Sequence, residues 1–284
     1  MFERLSRSWH LVKASAAVLQ QDRKLLLFPL ISTMAALAVL TTFAMPVLGW
    51  MALGGSGAQG EVFASSTLYV LGFLFYLTQY FVIFFFNAAL VAAAMIRLEG
   101  GTPTLADGLR HAAARWPAIL GYAALAATVG LVLRSIAERF DFVGRFVVGL
   151  IGTGWTLATY LVVPVLVARD IGPLDAVKES ATILRRTWGE NIVGQAGLGA
   201  AFALLQFLLI TLGVALAVTF ALYGSPVLTV LALLLALGAL VLAVLVQGAL
   251  SGIYAAALYR FATQTGDTQG FDPQTLRSAF RPKT

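Results

Sequence analysis

Val12-Lys13-Ala14-Ser15-Ala16-Ala17-Val18-Leu19 and Val177-Lys178-Glu179-Ser180-Ala181-Thr182-Ile183-Leu184 read as one element written twice. Each is a short basic segment that leads into a long apolar run. A third copy, Asp107-Gly108-Leu109-Arg110-His111-Ala112, stands before the middle of the chain. Leu5, Trp9, Val12, Ala16 and Leu19 fall at spacings of four and three, one face of an α-helix. Leu105, Leu109, Ala112 and Trp116 repeat that spacing, as do Leu174, Val177, Ala181, Leu184 and Trp188. The pattern predicts three amphipathic helices lying in the membrane interface, with Trp9, Trp116 and Trp188 on their buried faces.

Working outward from these segments, composition fixes the class. Of 284 residues, 60% are hydrophobic and only 11% charged, against about 25% charged in soluble domains. Mean hydropathy is +0.88. The chain reads as one integral membrane domain, because its apolar runs leave no soluble block large enough for a separate core. Six spans are expected: about Leu25 to Trp50, Thr67 to Ile96, Ala118 to Leu133, Phe146 to Ala168, Ile192 to Leu222 and Val227 to Leu258. The expected architecture is therefore all-α and polytopic: three membrane hairpins, each preceded by an interfacial helix. The repeat units are about 1–96, 97–168 and 169–258, followed by a tail at 259–284 that holds a last short helix near Asp272-Pro273. Pro46 and Pro164 are expected to kink their spans, and Arg134 and Glu138 to pair across one helical turn. The first apolar run begins only after Lys24 and is too long for a signal peptide's core, so it reads as a retained span.

Sixteen of the nineteen basic residues fall in the N-terminal segment, the second and fourth loops and the tail. Arg134, Arg139 and Arg145 alone fall on the other side. The positive-inside rule puts both termini and all three interfacial helices on the cytoplasmic side of a bacterial inner membrane. The net charge of +6 is thus accounted for by topology and anionic lipid, not by nucleic acid. Arg23 and Lys24, and Arg185 and Arg186, stand where an interfacial helix turns into a span, and are candidates for lipid headgroups.

Chemistry for catalysis is hard to find. Cysteine is absent, which removes thiolate nucleophiles and Cys-bound metals. His10 and His111 lack a metal-ligand partner at helical spacing. The thirteen carboxylates fall in loops or at span ends, so the usual mark of ion coupling is missing. Gly194-Gln195-Ala196-Gly197-Leu198-Gly199 lies in an apolar span with no preceding strand and is no phosphate loop. Intramembrane polarity reduces to Gln79, Asn87, Gln195, Gln206 and Gln247, which either join helices by hydrogen bonds or line a path. Gly248 and Gly252 form a GxxxG helix-packing motif. No cofactor is implied.

Ser8-Trp9, Val12-Lys13-Ala14-Ser15, Leu19, Asp22 and Leu27-Phe28-Pro29 resemble the opening of an uncharacterised family of bacterial multi-span membrane proteins that carry a domain of unknown function. Ala257-Leu258-Tyr259-Arg260-Phe261-Ala262, Gly270-Phe271-Asp272 and Ala279-Phe280 resemble that family's close. The layout is also similar to other helical-hairpin membrane proteins, among them the membrane domain attached to some glycerophosphodiester phosphodiesterases. The family brings no known activity, so the resemblance carries over no functional residue.

The sequence thus points to a non-enzymatic membrane module that binds lipid, chiefly anionic, or partner proteins at the cytoplasmic leaflet. A second copy of the chain is among the partners it allows. The alternative is a transporter or export facilitator for a small or lipid-like molecule, on the strength of the repeat layout. A cysteine introduced at Ser56 should be labelled only from the outside of intact cells, and a reporter fused at Thr284 should be active only in the cytoplasm. Labelling of Ser56→Cys from the cytoplasmic side alone reverses the topology.

Overall fold

The computed structural model describes residues 15–52, 60–186 and 188–263, which contain helices and no strand. A first helix, α1, covers residues 15–21, and a 3-10 turn follows at Arg23–Leu26. Then come α2 (Leu27–Ala52), α3 (Gly60–Leu98), α4 (Leu105–Ala114), α5 (Trp116–Arg139), α6 (Phe142–Ala158), α7 (Val162–Ala168), α8 (Pro173–Arg186), α9 (Trp188–Leu222) and α10 (Pro226–Ala262). Six stretches are long and apolar enough to cross a membrane: Arg23–Pro46, Val70–Leu98, Trp116–Arg139, Gly144–Ala168, Gly197–Leu222 and Pro226–Arg260. The expected all-α polytopic fold is what the chain adopts. The glycine-rich segment after α2, the tail helix near Asp272 and the segment around Trp9 lie outside the described residues.

α2 packs against α3 and α9 against α10, while α3 also packs against α5 and α10 and so stands at the centre of the bundle. The joints between elements follow local chemistry. Gly100, at φ 87°, ends α3 in the left-handed region that only glycine enters without strain. Thr104 and Asp107 then close a capping box on α4: the Asp107 N–H donates to Thr104 Oγ1 at 3.2 Å, and the Thr104 N–H to Asp107 Oδ2 at 3.0 Å. Hydrogen bonds from the Thr104 side chain and backbone hold the Asp107 carboxyl below its ordinary range. The box is therefore intact above the usual carboxylate pKa and lost as pH falls through the lowered one. Gly224, at φ 69°, makes the tight turn before Pro226 opens α10.

Pro46 lies inside α2, which runs on to Ala52. Two expectations change against the structure. Trp116 is 52% exposed. The reason is that α4 stops at Ala114 and Arg115 leaves helical geometry (φ −111°, ψ 12°), so Trp116 starts α5 instead of extending the α4 stripe. The apolar faces of α4 and α8 also meet protein. A Cβ on buried Gly108 would collide with the Ala89 carbonyl and the Phe28 ring, and Ala176, Ser180, Ile183 and Leu184 of α8 are buried.

The fourth span is a broken helix. α6 ends at Ala158 and α7 begins at Val162, two residues before Pro164. Proline has no N–H to give the carbonyl four residues back, and its ring crowds that turn. Ser180, fully buried on α8, bridges the break. Its Oγ donates to the Ala158 carbonyl at 2.7 Å and accepts from the Leu161 N–H at 3.0 Å. Two main-chain groups that a continuous helix would satisfy are met by one hydroxyl.

Packing is uneven along the bundle. The core consists of residues near the basic end of each span: Ala88 to Ala94, Ile119 to Ala123, Leu161 to Leu166 and Ala249 to Leu258. Toward the opposite end, α2, α9 and α10 expose Met45, Leu48, Phe207, Leu212, Leu231 and Leu235, as surfaces solvated by lipid do. Removing the bridging hydroxyl should destabilise the core half specifically. Ser180→Ala should lower stability in detergent by about 1–3 kcal/mol, since it leaves two buried backbone groups unmet. Thr182→Ala, on the exposed side of the same helix, should stay within ~0.5 kcal/mol. Equal melting shifts for the two variants remove the bridge as a stabilising element.

Candidate functional site

A cleft of about 400 Å³ opens beside the break in the fourth span. Its walls come from the first turns of α2 (Phe28, Pro29, Ser32), the middle of α3 (Ile83, Phe84, Asn87, Leu90), Tyr122 of α5, the break itself (Thr156, Thr159, Tyr160, Val163, Pro164) and α10 (Gly248, Ser251, Gly252, Ala255). Asn87 stands eleven residues before the end of α3 and Gly248 twelve before Arg260. At 1.5 Å per residue these lie about 16–18 Å from the basic end. The cleft therefore lies at the depth of the spans, about three helical turns from their basic end.

Pro164 and Gly252 create the space. The break turns Thr159 and Tyr160 out of helical register, and Gly252 lets α10 approach α3 until a Cβ there would collide with Leu90. At Gly248, the other glycine of the motif, an added Cβ would meet Pro29 at an ordinary contact distance of 3.8 Å. Both glycines line the cleft, and Gly252 also brings α10 against α3. The Thr156 and Thr159 hydroxyls donate to carbonyls of their own helix, at 2.9 and 2.8 Å, and keep their acceptor lone pairs. Tyr122 lies beside Thr159 and stacks on Phe84 with ring centroids 4.5 Å apart. From Phe84 a column of rings continues through Tyr80 (5.6 Å) to Tyr76 (6.5 Å). The Tyr76 hydroxyl accepts from Arg134 Nη1 at 3.1 Å, and Arg134 is bonded to Glu138 at 2.9 Å as expected from their spacing.

The basic end is tied by ion pairs. Arg115 pairs with Asp170, joining the start of α5 to the loop after α7. Arg169 Nη1 meets Glu179 Oε1 at 2.8 Å, and Tyr259 is a further hydrogen-bond partner of this guanidinium. Arg260 Nη1 meets Glu99 Oε1 at 2.6 Å and the Met95 carbonyl at 3.2 Å. Arg97 reaches Gln21 at 3.0 Å and the Gly101 carbonyl at 3.2 Å, fixing α1 to the end of α3.

The residues singled out in the sequence do not form one site. Arg23, Lys24 and Arg185 are exposed at the junctions, and among the described residues none of them is in an ion pair. Asp22 accepts instead from the Lys24 backbone N–H, at 3.3 Å. The Arg186 and Gln195 side chains lie outside the described residues. Gln206 Nε2 donates to Gln247 Oε1 at 2.8 Å, joining α9 to α10. The buried Gln79 Oε1 has no hydrogen-bond partner among the described residues. Asn87, Gly248 and Gly252 line the cleft. Sequence reading did not single out Ser32, Tyr122, Thr156, Thr159, Tyr160 or Ser251. Hydroxyls that bond back to their own helix leave no periodic signal, though Thr156 and Thr159 upstream of Pro164 were a local one.

No functionally curated protein matches the chain. Residues 66–271 match the model of a family of unknown function. The match runs from the start of the second span to just beyond the sixth and takes in the break, most of the cleft and the ion-paired end; the N-terminal residues that resemble the family's opening lie before it. On that match, the chain belongs to the family of unknown function DUF6159.

Proposed function

We propose that this protein is a non-enzymatic, lipid-binding component of the bacterial inner membrane, acting at the cytoplasmic leaflet toward which its basic end points. The observation that carries the reading is a contrast among cations at one end of the molecule. Arg115, Arg169 and Arg260 are spent in ion pairs that join helices. Arg23, Lys24 and Arg185 are exposed where interfacial helices become spans, the level at which lipid phosphates lie. Each basic residue near an anionic surface contributes about 1 kcal/mol. The same sixteen-to-three split of basic residues supports cytoplasmic termini.

One observation favours the second reading, transport or export of a small or lipid-like molecule. The fourth span is discontinuous beside an intramembrane cleft, as substrate-binding spans of transporters often are.

R23Q/K24Q should lower the affinity of the purified protein for phosphatidylglycerol by roughly 30-fold, the equivalent of ~2 kcal/mol for two charges. The residual affinity should be less salt-dependent than that of the wild type, since exposed charge contacts are screened over about 8 Å at physiological ionic strength. R185Q/R186Q should lower it as well, with the spans still in place. Unchanged phosphatidylglycerol binding in both variants leaves the clusters a purely topological role.

A further inference from the structure

We propose that the cleft beside the broken span binds one neutral amphiphile. Such a ligand has apolar chains and an uncharged headgroup of hydroxyls and ester carbonyls; a diacylglycerol is the chemical type. The site is separate from the exposed cations of the basic rim, and nothing in it depends on them.

The lining selects this chemistry. Asn87 brings an amide with two donors and an acceptor, and Ser32, Thr156 and Ser251 bring hydroxyls, all at span depth. Polar groups facing hydrocarbon need hydrogen-bonding partners, so a pure hydrocarbon fits the lining poorly. A phosphate fits it worse. Among the described residues the cleft is lined by no Lys, Arg or His, and Arg260, one to two turns beyond Ala255 on α10, is committed to Glu99 and the Met95 carbonyl. An ionised headgroup would enter a medium of low dielectric without a counter-charge, which is strongly unfavourable. An uncharged headgroup that both donates and accepts meets the lining on equal terms.

Size and access agree with this ligand. At about 30 Å³ per water-sized group, a volume of about 400 Å³ holds a glycerol headgroup, its two esters and the first carbons of the chains. The remaining chain must lie outside the cleft. Ile83, Thr156 and Gly248 on its walls are exposed, so the cleft is open at the surface of the bundle. At this depth that surface is lipid, and a leaflet lipid can enter sideways with its chains still in the bilayer.

Native mass spectrometry of the full chain in detergent, with dioleoylglycerol as probe, tests the site. The wild type should retain one dioleoylglycerol per chain, undisplaced by an equal concentration of dioleoylphosphatidylglycerol. Gly248→Leu puts a side chain into the opening, where an added Cβ meets only Pro29 at van der Waals distance, and should abolish retention. Asn87→Leu keeps the size of the side chain and removes its amide; it should weaken retention roughly tenfold and decides the matter if Gly248→Leu does not fold. R23Q/K24Q should leave retention unchanged, which separates this site from the basic rim. Three results overturn the proposal: no retained dioleoylglycerol in the wild type, equal retention in the wild type and both cleft variants, or displacement by dioleoylphosphatidylglycerol.

Discussion

Inside a bilayer there is no water to satisfy a backbone amide, so every main-chain group of a span must find its partner within the protein. Most of this molecule obeys by continuous helix, and the one interrupted span shows what an exception requires. Between Ala158 and Val162 the ladder of helical bonds is broken, and the hydroxyl of Ser180 takes both a carbonyl and an N–H that the break sets free. The bridge comes from α8, a short amphipathic helix outside the spans. That helix must therefore be docked against the fourth span for the break to exist at all. Its docking is held in turn by Glu179 on Arg169 and by the burial of Ala176 beneath it.

Small residues extend the same logic to the rest of the core. Gly108 brings α4 against the main chain of α3, and Gly252 brings α10 against Leu90. Ala88, Ala89, Ala93, Ala94, Ala249 and Ala256 are buried around them. Between membrane helices close packing replaces the hydrophobic effect as the source of association, because lipid tails are as apolar as leucine. The well-packed half of the bundle is where these small residues concentrate. The other half is leucine-rich and exposed to lipid, with few close contacts beyond those such as Gly213 on Ala236.

The class of fold was readable from hydropathy alone, since spans of this length follow from bilayer thickness. The turns at Gly100, Thr104, Asp107, Gly224 and Pro226 act through local backbone chemistry. What the sequence could not supply was the partner of each buried face. The stripe on α8 has the same spacing whether lipid or protein covers it, and Ser180 looks like any serine in an amphipathic repeat until the Ala158 carbonyl appears opposite. Pro46 and Pro164 also read alike. The second breaks a helix because α8 supplies substitutes for the lost bonds. The first stays inside a continuous helix, with Met45 and Leu48 exposed nearby. In the cleft, Asn87 and Gly248 were visible as exceptions to apolar spans, whereas the hydroxyls were hidden by their ordinary bonding within their own helices.

Charge placement sets the remaining constraint on function. The buried Arg260 is paired with Glu99, and the exposed Arg169 and Arg134 at span ends pair with Glu179 and Glu138. A charge at mid-span would need a partner at the same depth, and the cleft offers only hydroxyls, an amide and the two phenols of Tyr122 and Tyr160. The molecule therefore divides its polar surface by depth. At the rim stand exposed cations, Arg23, Lys24 and Arg185, that are in no ion pair among the described residues. One to three helical turns deeper, uncharged donors and acceptors favour neutral groups. Exposed charge and uncharged polarity are thus kept at different depths along the spans, and any ligand proposed for either level has to match that separation.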